Sequence, residues 1–266
     1  MKRITITFAL VLTSLIVVQA QDIMAQSELR AENVNSVSIE GSFCDVEISK
    51  GSDVYFKGVI MGNGDDDLYE FETRIEGEQL VIKVNKRRNE WMTNISKSLI
   101  ELTVPDNVPV SVRNSSGDIR IEDVSAREYY LQATSGSITA EDIGGQLEVK
   151  ATSGDIRINN LGGDRHDIQT TSGSIDIDQV KGDVVFQATS GDVMISGMTG
   201  NLRGKTTSGE MELNNITGGI ELQATSGDIE GVNMNITSDS EFKTTSGEIE
   251  IRLASALTNY SFDIDT

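Results

Sequence analysis

One short motif recurs eight times between residues 114 and 249: Thr-Ser-Gly or close to it, then Asp, Ser or Glu, then an apolar residue. Its glycines are Gly117, Gly136, Gly154, Gly173, Gly191, Gly209, Gly227 and Gly247, spaced 19, 18, 19, 18, 18, 18 and 20 residues apart. A period held that tightly is the signature of a solenoid, in which each repeat is one structural unit stacked on the next. The repeat constrains architecture far more than it constrains chemistry.

Two short alternating runs fill each repeat. Leu131, Ala133, Leu147, Val149 and Ala151 precede their glycines at every second position, and Ile119, Ile121, Ile156, Ile158, Ile175 and Ile177 follow them likewise. Period-2 alternation marks strands with one buried face, and β-branched residues suit that face. About 18 residues are too few for a βαβ crossover. Equivalent strands must therefore stack directly on one another. The expected fold is all-β, a single-stranded parallel β-helix (β-solenoid) with 18–19 residues per coil.

Stacking turns each alignment column into a ladder. The inward columns are Ile119, Ile138, Ile156, Ile175, Val193, Met211, Ile229 and Ile249, and the smaller Ala133, Ala151, Thr170, Ala188, Thr206, Ala224 and Thr244. Outward columns carry Thr134 to Thr245, flanked by Gln132, Lys150, Gln169, Gln187, Lys205, Gln223 and Lys243. The eight glycines are read as corner residues that reach positive φ without a Cβ clash. A second corner is expected at Gly144, Gly145, Gly162, Gly163, Gly182, Gly200, Gly218 and Gly219.

Residues 1–20 read as a secretory signal: Lys2 and Arg3, an apolar stretch over 4–18, and a small-residue cleavage site ending at Ala20, with Ala25 as a later alternative. Export to the periplasm, the cell surface or the medium follows. Losing that segment moves the net charge from −20 to −22. Such an acidic chain argues against nucleic acid as a partner. Cys44 is the only cysteine, so no internal disulfide forms. Residues 27–113 are expected to form irregular N-terminal β coils, with strands over 69–75 and 80–84 joined at Gly77 and a protruding loop at 85–98. Residues 114–266 are expected to form the regular solenoid. It stops at Thr266, where another Ser-Gly turn is due, so the chain is read as a fragment or as pairing end-to-end with another copy.

The run Leu102-Thr103-Val104-Pro105, then Val110-Ser111-Val112, then Ser116-Gly117-Asp118-Ile119 and the ATSG and TTSG repeats resembles the DUF4097 family of candidate adhesins. That family, also called toastrack, is related to the head GIN domains, and the resemblance covers residues 34–266. It implies a β-solenoid, export or membrane-associated placement in bacteria, and an adhesive or scaffolding role with an envelope protein, surface protein or glycan. It carries over no catalytic residue and no cofactor.

The residues themselves point away from catalysis. His166, the only histidine, is expected to be a solvated corner residue, and one His with one Cys assembles no nucleophilic triad. Ser116 and its equivalents recur eight times, whereas a nucleophile is needed once. Glu210, Glu212, Asp228, Glu230, Glu248 and Glu250 form a late acidic ladder that could collect a cation, although a solvated face accounts for it as well. The enzymatic rival is a glycan-cleaving or glycan-binding β-helix, which needs a local break in the repeat. Coils 114–249 are read as unbroken. The candidate loop is therefore 85–98, with Lys86, Arg87, Arg88 and Trp91.

Overall fold

A computed structural model describes residues 22–63, 65, 68–88 and 94–255. The signal segment 1–20, Trp91 and the terminal run 260–266 lie outside the described residues, which contain twenty strands and no helix.

The regular stack begins with β8 (Val110–Ser116) and β9 (Ile119–Glu122), followed by β10 (Ser125–Ser135), β11 (Ile138–Ser153), β12 (Ile156–Ser172) and β13 (Ile175–Ser190). It continues through β14 (Val193–Thr199), β15 (Leu202–Ser208), β16 (Met211–Gly218), β17 (Ile220–Ser226), β18 (Ile229–Ile236), β19 (Glu241–Ser246) and β20 (Ile249–Leu253). Every pairing among these strands is parallel. The chain is a parallel β-solenoid.

Each coil has three sides. On the first, Tyr129, Leu147, His166, Val184, Leu202 and Ile220 stand in register. On the second, Ile119, Ile138, Ile156, Ile175, Val193, Met211 and Ile229 do so, all at or below 1% exposure. On the third, Ile143, Leu161, Val180, Met198 and Ile216 complete the core. Ile249, on the last described strand, is 42% exposed.

The corners differ. At the Ser-Gly corner a Cβ on Gly136 would lie 2.2 Å from the Gly117 carbonyl oxygen, and one on Gly154 would lie 2.1 Å from that of Gly136. Gly191 adds a φ of +120° to the same collision with Gly173. The column thus needs glycine on two counts: backbone meets backbone from coil to coil, and φ is positive at Gly117, Gly173, Gly191, Gly209, Gly227 and Gly247, all but Gly136 and Gly154. The second corner is a column of left-handed residues: Asp123, Asp142, Asn160, Gln179, Gly197, Asn215 and Asn233, with φ between 51° and 66°. Asn and Asp tolerate that region best among residues with a side chain. Gly145, Gly163, Gly182, Gly200 and Gly218 form the third corner, each packed against the backbone of the coil before it.

Stack order departs from chain order at the N-terminal end. β2 (Ser36–Ser42) lies between β6 (Gln79–Lys86) and β8, and β3 (Asp45–Lys50) lies between β7 (Ile95–Val104) and β9, all parallel. Beyond that level the pairing becomes antiparallel. β5 (Tyr69–Glu76) folds on β6 as a hairpin, β4 (Val54–Gly62) lies along β7, and β1 (Asp22–Ala31) lies along β4. Aromatic pairs fill this cap: Phe56 against Phe71 and Phe43 against Tyr69, with ring centroids 5.7 and 5.0 Å apart.

Candidate functional site

Carboxylates beside the Ser-Gly corner are used by the backbone. Asp118 Oδ1 accepts from the Ser137 amide at 2.8 Å, Asp155 from Ser174 at 3.0 Å, Asp192 from Glu210 at 3.0 Å and Asp228 from Glu248 at 2.7 Å. An aspartate in every second coil therefore satisfies a corner N–H on the next. Farther out, Glu212, Glu230 and Glu250 stand in register, and Arg252 bridges Glu230 and Glu250 at 3.2 and 2.6 Å. Among the described residues no group of three or more His, Cys, Asp or Glu side chains could hold a metal ion.

The basic run in 85–98 has local partners. Arg87 Nε meets Glu70 at 2.7 Å, Arg88 meets Asp65 at 3.7 Å, and Lys86 Nζ sits 5.9 Å from the Tyr69 ring centroid. The Arg87 bond holds the Glu70 carboxyl below its ordinary range.

His166 is not the solvated corner residue expected from its neighbours in sequence. It is fully buried, in register between Leu147 and Val184. Its Nε2 lies 3.3 Å from the Lys181 carbonyl oxygen, while Nδ1 is buried without a partner. Burial holds its pKa below the ordinary value. Cys44 is likewise enclosed, and burial pushes its thiol up to about 12, which removes it as a nucleophile at neutral pH.

The regular coils are broken after all, at the third corner. Pairing between β10 and β11 skips from Ser125 to Glu128, that between β11 and β12 from Gly144 to Leu147, and that between β12 and β13 from Gly162 to Arg165. The extra residue of each 19-residue coil falls here, at Arg127 and at Asp164. Two swollen corners flank the tighter turn at Gln146, and an open groove of about 920 Å³ runs across them. Asn35, Gln79, Asn107 and Ser111 extend it toward the cap.

Tyr130 anchors the groove. Arg113 lies 4.6 Å and Lys150 5.6 Å from its ring centroid, and its hydroxyl donates to Gln132 Oε1 at 2.6 Å. Lys150 is paired with Glu148 at 2.6 Å and Arg127 with Glu128 at 2.7 Å. Arg165 and Arg113 make no ion pair among the described residues; Arg113 reaches only the Ser111 hydroxyl, at 3.5 Å. Uneven spacing of 19, 18 and 19 residues was the signal in the sequence that could have located this groove.

The family model for toastrack DUF4097 matches residues 34–201 and 183–266. The chain belongs to that family. A candidate adhesin from Bacteroides fragilis shares its fold, with a TM-score of 0.54 at 13% identity over 88% of this toastrack chain and 98% of that one. A second candidate adhesin, from Parabacteroides merdae, aligns over 86% of this chain and 96% of its own, at 13% identity and a TM-score of 0.46. Curated proteins contain no match. At these identities the likeness is one of fold, and a function has to be argued from this toastrack chain's own residues.

Proposed function

We propose that this toastrack protein is an exported, non-enzymatic interaction scaffold of the cell envelope, an adhesin in the broad sense. The observation that carries the reading is where its reactive groups are spent. The aspartates hold corner amides, His166 sits in an aliphatic column and Cys44 is enclosed. What faces outward where the repeat breaks is a groove of mixed polar lining, with amides, Tyr130, Arg127 and Arg165 beside Glu128, Glu148 and Asp167, which is equipment for holding a ligand.

Export through residues 1–20 is part of this proposal. The position of β1 favours cleavage after Ala20 over Ala25: Asp22 and Ile23 pair with Gly62 and Met61, and Met24 is fully buried. A cut after Ala25 would strip the first four residues of that strand, the buried Met24 among them. N-terminal sequencing of the mature protein tests the site, and a mature start at Gln26 would contradict it.

Immobilised protein incubated with envelope extract tests the scaffold reading. Retention of a glycan or protein in unmodified form is the expected result. Release of shortened or chemically altered glycan would show the enzymatic rival to be correct.

A further inference from the structure

We infer that the cap is a pairing surface for a second copy of this chain. The outer edges of β1 and β5 each meet the same edge of a two-fold partner, antiparallel, with Leu29 opposite Leu29 and Thr73 opposite Thr73. The inference goes beyond the scaffold reading, and its readout, the number of chains per particle, does not depend on that reading.

Three observations converge. First, two strand edges end the stack together. Among the described residues β1 pairs only with β4, and β5 only with β6. The two strands face each other across a recess of about 530 Å³. An unpaired edge is a template for another strand, and meeting both edges at once is strand addition done twice. Second, the core is unfinished there. Ile75 stands opposite the buried Leu80, so it lies on the core face, yet it is 52% exposed. Leu29, opposite the buried Phe56, is only partly covered. Third, each edge reads the same against its own reverse. Pairing β5 about Thr73 sets Glu72 against the partner's Arg74 on the outward face and Phe71 against the partner's Ile75 on the core face. Pairing β1 about Leu29 sets Glu28 against the partner's Arg30. Opposite charges and apolar pairs directly across a ladder stabilise it. At its ends the β5 ribbon brings Glu70 to the partner's Glu76, but Glu70 already carries Arg87 at 2.7 Å.

One axis serves both edges. Phe71 packs against Gly58, which stands opposite Ser27 on β1. β5 runs against β6 and β8, and β1 runs with β7 and β9. Since β8 and β9 leave the Gly117 corner in opposite senses, β1 and β5 run the same way. Two residues beyond Ser27 and Phe71, Leu29 and Thr73 therefore face each other across the layer. A two-fold axis through that pair makes both ribbons at once, and such a contact is closed, so it stops at two copies. Edge charges ordinarily guard against pairing. A guard repels its own copy, as a row of lysines does, whereas Glu-x-Arg attracts it. The core faces of the two edges hold no charge: Ala25, Ser27 and Leu29 on β1, and Phe71, Thr73 and Ile75 on β5. In the pair the core runs on from one cap into the other, and the particle carries the third-corner groove twice.

The test is sedimentation of the full mature protein over a wide range of concentration, where a dimer is expected at the upper end. Glu72→Arg sets arginine against Arg74 at two places, and Arg74→Glu sets glutamate against Glu72. Each is expected to weaken the dimer about tenfold or more, with the melting temperature of the monomer unchanged. Mixing the two variants restores opposite charges across the ribbon, so the mixture is expected to recover the dimer that each loses alone. Thr73→Cys puts a thiol on the axis and is expected to give a disulfide-linked dimer on mild oxidation. Arg74→Cys, whose opposite residue is Glu72, is expected to link far less, and the enclosed Cys44 does not compete. A monomer at every concentration overturns the inference. So does a dimer that is indifferent to both charge variants, or one that links through position 74 as readily as through 73.

Discussion

The cap and the coils solve the same packing problem with the same pair of residues. In the coils Phe186 lies over Gly204, its neighbour in the next coil, so closely that a Cβ on the glycine would fall 2.0 Å from the ring. In the cap Phe71 on β5 lies over Gly58 on β4, at 2.7 Å. The difference is in how the partners find each other. Phe186 and Gly204 occupy the same column one period apart, so the alignment alone brings them together. Phe71 and Gly58 meet because the chain leaves the stack, turns back as antiparallel strands and closes the end. A repeat specifies contacts by counting. A cap specifies them by topology.

The sharpest way to break the comparison is to charge the repeated core. Ile175 stands in an isoleucine ladder at 1% exposure, whereas Asp176 beside it points outward. Ile175→Asp places an unpaired charge among Ile156 and Val193 and is expected to cost several kcal/mol. Asp176→Ile is expected to be nearly neutral. Thermal melts of the two variants decide it, and equal melting temperatures would sink the inward–outward assignment.

Next in size are the glycine–phenylalanine pairs. Neither Gly204 nor Gly58 has positive φ, so alanine there tests sterics alone. Each Gly→Ala is expected to cost about 1–3 kcal/mol by overpacking, more at Gly204 because the approach is closer. Phe186→Leu should rescue part of Gly204→Ala, and Phe71→Leu part of Gly58→Ala. Additive double mutants, measured by denaturant melts, would show that the rings are not the obstacle.

A smaller effect belongs to the corner aspartates. Asp192→Ala leaves the Glu210 amide without its acceptor and is expected to cost about 0.5–1.5 kcal/mol. Asp192→Asn keeps an oxygen there and should cost much less. If both lose the same amount, the carboxylate's charge matters and the hydrogen bond does not.

How much of this was legible follows the same division. The parallel solenoid, the inward isoleucines and the outward threonines came from period and alternation. The left-handed corner at Asp123, Asp142, Asn160, Gln179, Gly197, Asn215 and Asn233 was overlooked, although a column of turn-tolerant polar residues was there to be counted. Positive φ at six of the eight Ser-Gly glycines is what the corner reading expects, whereas the contact between coils that also demands glycine is one no single repeat reveals. The groove was hidden because a one-residue change in spacing looks like noise until both 19-residue coils are seen to swell at the same corner. The cap's stacking order, with β2 and β3 slotted between later strands, leaves no periodic trace at all.

His166 shows how the register misleads locally, and its effect depends on pH. Counted from Gly163 it looks like a corner residue, because Asp164 is the extra residue that displaces it. Counted back from Gly173 it stands seven residues away, as Leu147 does from Gly154 and Val184 from Gly191, which places it inward. The fold therefore holds an imidazole in a leucine position. It gives Nε2 the Lys181 carbonyl and leaves Nδ1 unpartnered, with Asp164 the nearby charge favouring protonation. Because burial lowers the folded pKa, the unfolded chain takes up its proton first, near the ordinary 6.5. Stability from this residue is thus complete above that value and falls as pH drops through it toward the folded pKa. His166→Leu should restore the aliphatic column, raise stability by roughly 1 kcal/mol at neutral pH, and widen its advantage over wild type as the pH is lowered from 7 to 5. Melting curves of the pair across that range read the difference directly. A gap that stays constant with pH would mean that His166 does not titrate on unfolding, and one that closes would mean that the folded protein binds the proton more tightly than the unfolded chain.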